Sequence, residues 1–164
     1  MSKTTIFLAD SSVLIDYSIS DRSILALAVR HLGRIVVPDL ILDEVDQLDQ
    51  DDCAELGLVI QETDMEMTMA ANANPLRGLS LQDKLCFLLA QQNTWTCITN
   101  DAGLVEACKK SDVSVWRGLR IMIELVKGGH LTKKSALSVA AKISAGNPLY
   151  ITKSVLAKFE RELK

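Results

Sequence analysis

Short runs of β-branched and apolar residues alternate with longer segments of helical periodicity, and this alternation restricts the folds that the chain can adopt. Five such runs lie near residues 5, 35, 58, 96 and 114. Strands that alternate with helices form βαβ units, whose strands are parallel and whose helices cover the faces of the sheet. We therefore predict a three-layer α/β/α sandwich with a mostly parallel central sheet of about five strands, followed by C-terminal helices.

The length of the chain limits the number of domains. A chain of 164 residues suits one domain, and a hydrophobic fraction of 48% is enough for a substantial core. Because aromatic residues make up only 4% of the chain, the core is expected to be aliphatic. We predict a main unit over residues 1–127 and a helical extension over residues 128–164 that packs on the same domain.

The sequence indicates neither a membrane segment nor a disulfide-bonded secreted chain. No stretch approaches the roughly 18 uninterrupted apolar residues of a membrane helix, and the start lacks a secretory apolar region. The four cysteines form no CxxC pair, and the two histidines do not flank them at zinc spacing. We expect Cys86, Cys97 and Cys108 to be buried thiols and the protein to be cytoplasmic.

Acidic residues occur where the predicted strands end or the helices begin. Asp10 follows the first strand, and Asp101 follows the strand near residue 96. Asp83 lies in the first turn of a helix that Ser80 is suited to cap, and Glu44 is expected near the start of another helix. Because ligands bind at the carboxyl ends of parallel strands, we expect such carboxylates to meet at one edge of the sheet.

A cluster of carboxylates is suited to a hard metal ion. Two carboxylates about 4 Å apart repel by about 4 kcal/mol at an effective dielectric near 20. Asp and Glu without His or Cys favour Mg²⁺ or Mn²⁺, which bind phosphate oxygens and support hydrolysis of a phosphodiester. Since 18 basic residues stand against 21 acidic ones, any binding of nucleic acid depends on a local groove or on metal ions.

The four acids, in this order, resemble the four-acid signature of PIN-domain nucleases, and the resemblance covers roughly residues 4–125. It is carried by the segments VPDLILDEV, LSLQDKLCFLLA and ITND, together with the Asp that follows the first strand. The resemblance implies a metal-dependent ribonuclease. It also implies that Mg²⁺ or Mn²⁺ is held by Asp10, Glu44, Asp83 and Asp101, with Ser11, Thr99 and Asn100 in supporting positions.

Many bacterial members of this family are VapC-type toxins, and this implies partners as well as a substrate. We expect RNA as the substrate, a cognate antitoxin protein as the partner of a VapBC-type pair, and a possible homodimer.

Each acid also has a purely structural interpretation. Asp10 and Asp101 could cap the turns or helices that follow them, and Asp83 could complete a capping box with Ser80. Glu44 could lie on an exposed helix face, with Asp43 as a substitute ligand. We expect Asp16 to be an ordinary residue of a helix surface.

Two other functional classes remain open at this point. A non-catalytic PIN-like module that binds RNA or protein would be favoured by the loss of one acid, whereas all four are present. An α/β phosphatase or receiver domain would use Asp10 as a nucleophile. The haloacid dehalogenase pattern requires a second Asp two residues later, and this chain has Ser12 there.

Overall fold

The computed structural model of the protein describes residues 5–164, so the first four residues of the predicted main unit lie outside the described residues. Its centre is a five-stranded sheet with the strand order β3-β2-β1-β4-β5, in which every pairing is parallel. The strands are β1 (Ile6–Ala9), β2 (Arg34–Pro38), β3 (Val59–Gln61), β4 (Thr96–Ile98) and β5 (Val115–Trp116). The predicted α/β architecture, with five strands near the expected positions, is confirmed.

Helices connect and flank these strands. They are α1 (Ser11–Ser20), α2 (Ser23–His31), α3 (Asp39–Leu42), α4 (Gln50–Leu56), α5 (Met65–Ala73), α6 (Leu81–Asn93), α7 (Ala102–Lys110), α8 (Arg120–Lys127), α9 (Lys133–Gly146) and α10 (Lys153–Glu162). No helix within residues 5–164 combines the length and apolarity needed to cross a membrane.

The first strand lies in the middle of the sheet and of the core. Leu8 is fully buried and pairs in register with Val36 on one side and Cys97 on the other. Strands buried on both faces are continuous apolar runs, which explains why the sequence IFLA shows no polar alternation. The largest fully buried side chains are mostly Leu and Ile, as the low aromatic content predicts.

One helix begins in an acidic stretch. The polar composition of residues 47–52 is typical of a loop, yet α4 begins at Gln50. Asp49 accepts a hydrogen bond from the Asp52 main-chain N–H at 2.8 Å, and the Asp52 carboxylate accepts one from the Asp49 N–H at 3.0 Å. This reciprocal capping box starts a helix in a sequence whose acidity suggested a loop.

The C-terminal helices pack on other helices. Helix α9 contacts α1 and α8, and α10 contacts α9. The apolar side chains that they bury are Ala136, Val139, Ala140, Ile143 and Phe159. The division into a main unit of residues 1–127 and an extension of residues 128–164 stays a prediction. The cysteines are free and buried, as expected for Cys86, Cys97 and Cys108.

Candidate functional site

The four acids predicted from the sequence line one cavity at the carboxyl edge of the sheet. Asp10 follows β1, Asp101 follows β4, Asp83 lies in the first turn of α6, and Glu44 follows α3. The cavity has a volume of about 170 Å³, and its lining residues are Asp10, Ser11, Ser12, Glu44, Ser80, Asp83, Asn100, Asp101 and Tyr150. The fold thus brings together side chains that are up to 91 positions apart, from Asp10 to Asp101.

Asp10 is the most deeply placed of the four acids, with 3% of its surface exposed. Its carboxylate accepts hydrogen bonds from the Ser11 main-chain N–H at 2.7 Å, the Ser12 hydroxyl at 3.2 Å and the Thr99 hydroxyl at 2.8 Å. Burial raises the pKa of Asp10, these hydrogen bonds oppose the rise, and the charge of Asp101 adds to it. The site therefore holds a buried carboxylate whose charge is only partly compensated.

Thr99 links two of the acids, although its own side chain is fully buried behind the cavity. Its hydroxyl donates to Asp10 and accepts a hydrogen bond from the Asp101 main-chain N–H at 3.0 Å. Asp101 in turn caps α7, because its carboxylate accepts from the Leu104 N–H at 2.9 Å. Asp101 therefore has the capping role considered above, and it also lines the cavity.

The ionisation of Asp83 is affected by the negative charges of two other acids. Its main-chain N–H donates to the Ser80 hydroxyl at 3.1 Å, which fixes the first turn of α6. The pKa of Asp83 is raised to about 6, first by burial and then by the negative charges of Asp10 and Asp101. The charges of Asp10 and Asp101 are therefore close enough to Asp83 to affect its ionisation.

Glu44 reaches the cavity from a position that differs from the prediction. We expected it near the start of a helix, whereas α3 ends at Leu42 and Glu44 lies in the turn that follows. The Val45 N–H donates to the Leu42 carbonyl at 2.9 Å, and the Val45 side chain, 2% exposed, turns into the core. Burial of Val45 ends the helix early and leaves Glu44 exposed at the cavity rim.

A buried polar network behind the cavity was missed by the sequence prediction. Asp16, expected on a helix surface, is only 8% exposed and accepts hydrogen bonds from Asn100 at 3.1 Å and from Asn147 at 3.3 Å. Asn100 also accepts from the Gly118 N–H at 2.9 Å. Asp16 follows Val13 by three residues and therefore shares its buried face of α1; this periodicity was the available signal.

The donor set fits a hard divalent cation in its chemistry. The cavity offers four carboxylates together with hydroxyl and amide oxygens, which are the ligands of Mg²⁺ and Mn²⁺. The pKa of Asp83 is raised first by burial and then by the charges of Asp10 and Asp101, and a cation would relieve the repulsion between these charges. Within residues 5–164, no three His, Cys, Asp or Glu side chains converge on a common point.

A second cavity, of about 470 Å³, lies beside β5 and differs sharply in charge. We call it the cationic groove. Its charged lining residues are Lys109, Arg117, Arg120, Lys127 and Lys158 against Glu124 and Glu162. The groove flanks β5, and β5 is paired with β4, the strand that precedes Asn100 and Asp101; beyond the ladder, the Thr99 N–H donates to the Trp116 carbonyl at 3.0 Å.

Comparison of the sequence with known proteins gives no relative: no protein-family model matches the chain, and neither does any curated protein. Comparison of the fold with solved structures finds a similar protein. A PilT N-terminus domain protein from the hyperthermophilic archaeon Sulfolobus solfataricus superposes with a TM-score of 0.53 at 11% sequence identity. The match covers 73% of this chain and 92% of that chain. The fold is that of a PIN domain.

In this PIN-domain fold the two central strands carry the two acids that Thr99 links. The chain runs outward from β1 through β2 to β3, and then returns to add β4 on the other side of β1. In open α/β sheets, ligands bind where the strand order reverses in this way. Asp10 and Asp101 lie at that point: Asp10 directly follows β1, and Asp101 is the third residue after β4.

Proposed function

We propose that the protein is a metal-dependent endoribonuclease that hydrolyses phosphodiester bonds in RNA. The observation that supports this proposal best is the meeting of Asp10, Glu44, Asp83 and Asp101 around one cavity at the reversal point of a PIN-domain sheet. Carboxylates that repel one another are stabilised by bound divalent cations, and such cations support the hydrolysis of phosphodiester bonds.

In this proposal the four acids hold Mg²⁺ or Mn²⁺. When bound, such an ion supplies positive charge for the scissile phosphate and acidifies a water molecule. The chain itself keeps the acids in place: Thr99 fixes Asp10 and the Asp101 main chain through hydrogen bonds of 2.8 and 3.0 Å. Ser11 and Ser12 donate further hydrogen bonds to Asp10, which oppose the rise in its pKa that burial causes.

The cationic groove supplies the electrostatic attraction that the acidic chain lacks. Five basic and two acidic side chains line it, whereas the chain as a whole carries a net charge of −3. Glu124 lies 3.6 Å from Arg120 and 4.0 Å from Lys127, and Glu162 lies 3.8 Å from Lys158. Among the described residues, Lys109 and Arg117 form no ion pair, so they are the cations most available to phosphates.

The biological role that we propose is that of a toxin in a VapBC-type pair, acting in the cytoplasm with a cognate antitoxin and able to form a homodimer. This part of the proposal is supported by the four-acid resemblance to PIN-domain nucleases, many of which are VapC-type toxins.

Cleavage of a mixed RNA pool by the purified protein tests the nuclease proposal. The reaction is run with Mg²⁺, Mn²⁺ or EDTA, and with the variants Asp10→Asn and Asp101→Asn. Asp43→Asn is the matched control, since Asp43 precedes Glu44 but does not belong to the cavity lining within the described residues. We expect metal-dependent cleavage by the wild type and the control, and losses of at least 100-fold in the two site variants.

Calorimetric titration with Mn²⁺ separates the possible failures. Cleavage that persists in both site variants would refute the assigned site. Metal binding without cleavage of any RNA would refute the proposal that the protein cleaves RNA of mixed sequence. Absence of both would favour the non-catalytic PIN-like module.

The role of the cationic groove is tested by salt dependence. A Lys109→Gln/Arg117→Gln double variant should bind single-stranded RNA more weakly, and the slope of log K against log salt should fall by about 0.7 for each charge removed. Lys133→Gln/Lys134→Gln, which changes two exposed charges in the first turn of α9, is the control and should leave the slope unchanged. An unchanged slope in the groove variant would refute phosphate binding there.

A further inference from the structure

A residue of the C-terminal helical region reaches the acidic cavity. Tyr150, in the connection between α9 and α10, lines the cavity together with the four acids, and 57% of its surface is exposed. It lies outside the predicted main unit of residues 1–127, and no motif or spacing associates it with the acids.

The main chain on both sides of Tyr150 is fixed. On one side, the Asn147 amide donates to Asp16 at 3.3 Å, and Asp16 is in turn bound to Asn100 on the cavity wall. On the other side, the Ile151 N–H donates to the Asn147 carbonyl at 3.0 Å, and the Ile151 carbonyl accepts from a serine hydroxyl at 2.7 Å.

Ile151 itself is 2% exposed. A buried anchor next to an exposed aromatic ring means that the fold positions the main chain at Tyr150 and leaves its ring free to contact a ligand. An aromatic side chain that is more than half exposed also contributes little to the core, so packing alone does not account for its place.

The size of the cavity indicates what the ring would contact. At about 170 Å³ the cavity is below the roughly 300–1,000 Å³ of pockets that enclose a whole small molecule. It has room for a phosphate group and cations, so the base of a bound nucleotide must lie outside, at the rim. Tyr150 is the aromatic residue on that rim among the described lining residues.

We propose that Tyr150 is a substrate-binding residue that stacks on an unpaired nucleobase beside the phosphate held at the acids. This inference rests on the proposed nuclease function and adds to it a substrate-binding residue outside the four acids, one that contacts the base of the bound nucleotide. Every nucleobase presents a π-face, so stacking holds the nucleotide with little dependence on sequence. A paired base is covered by its neighbours in the helix and cannot stack on the ring.

Titration with small ligands tests this contact without depending on catalysis. The full-length protein with Mg²⁺ is titrated, by nuclear magnetic resonance, with adenosine 5′-monophosphate and with ribose 5-phosphate, which lacks the base. We expect the nucleotide to bind about 5- to 150-fold more tightly, the range that one stacked base supplies. Tyr150→Phe should keep this ratio, and Tyr150→Ala should reduce it to about 1 while leaving the affinity for ribose 5-phosphate unchanged.

Leu149→Ala is the matched control, because Leu149 is 88% exposed and is not among the described residues that line the cavity. A ratio that survives in Tyr150→Ala, or an equal loss of affinity for both ligands, would overturn the stacking role. A wild type that binds both ligands equally while cleaving RNA would overturn this inference alone. A wild type that binds neither ligand and cleaves nothing would overturn the nuclease proposal, and this inference with it.

Discussion

Replacing Asp83 with Asn should stabilise the metal-free protein at neutral pH, even though it removes an acid from the candidate site. The pKa of Asp83 is raised from 3.8 to about 6 by burial and by the charges of Asp10 and Asp101. A shift of this size corresponds to about 3 kcal/mol at most. Because Asp83 is only partly buried, solvent screening reduces this to about 1–2 kcal/mol.

The sign follows from the proton balance. A carboxyl whose pKa is higher in the folded state binds its proton more tightly there. The contribution of Asp83 to the free energy of unfolding is therefore complete below pH 3.8 and is lost as the pH rises through about 6. Loss of a negative charge from the first turn of α6 costs about 0.3–1 kcal/mol. The net expected gain for Asp83→Asn is therefore about 1 kcal/mol at pH 7.5, and there should be no gain at pH 3.5.

Urea unfolding in EDTA at pH 3.5 and pH 7.5 measures this difference, with Asp43→Asn as the control at an exposed position. Saturating Mn²⁺ should reverse the order at pH 7.5, since an ion at 100 times its Kd stabilises the wild type by about 2.7 kcal/mol. If Asp83→Asn were as stable as the wild type or less stable at pH 7.5 without metal, the raised pKa that burial and the neighbouring charges give Asp83 would be refuted.

Three further outcomes are expected from groups outside the acid cluster. Tyr17→Phe should lower the free energy of unfolding by about 1–3 kcal/mol in urea, because the buried Tyr17 hydroxyl donates to the Gly118 carbonyl at 2.6 Å. Gly118→Ala should cost about 1–3 kcal/mol in the same assay, since a Cβ there would lie 3.1 Å from the Asn100 amide nitrogen. His31 stacks on His130 at 3.6 Å, and the pKa of His31 is lowered by lost hydration and then by the positive charges of His130 and Arg30. His130→Ala should raise the pKa of His31 in an NMR titration, and an unchanged pKa would refute the coupling. Because the pKa of His31 is lowered in the folded state, its contribution to the free energy of unfolding should be present above pH 6.5 and should decline as the pH falls.

The fold was predictable because its signals are local. Each strand is a run of β-branched or apolar residues. Strands β1, β2 and β4 are each followed by a helix, and an Asp occupies either the N-cap or the first position of that helix. Asp10, Asp83 and Asp101 were found for the same reason, as each stands at a strand end or in a first helical turn. Glu44 was found through the family resemblance, although the end of its helix depends on the burial of Val45.

The rest depends on contacts between distant parts of the chain. Asp16 looks like a surface acid until Asn100 and Asn147, 84 and 131 positions away, supply its hydrogen bonds. Tyr150 enters the cavity wall through that same network, and nothing in its neighbouring residues indicates this. Periodicity identifies which face of a helix is buried, but it does not identify which polar partner lies opposite.

The central position of β1 affects the order in which the protein can become active during synthesis. Asp10 directly follows β1, yet the linking Thr99 is synthesised 89 positions later, just after the partner strand β4. Tyr150 follows later still, in the connection between α9 and α10. A nascent or truncated chain that ends before residue 99 therefore contains Asp10, Glu44 and Asp83 but lacks the hydrogen bonds from Thr99 to Asp10 and to the Asp101 main chain. For a chain that we propose cuts RNA, this order of synthesis keeps the site incomplete until β4 and the residues that follow it have been made.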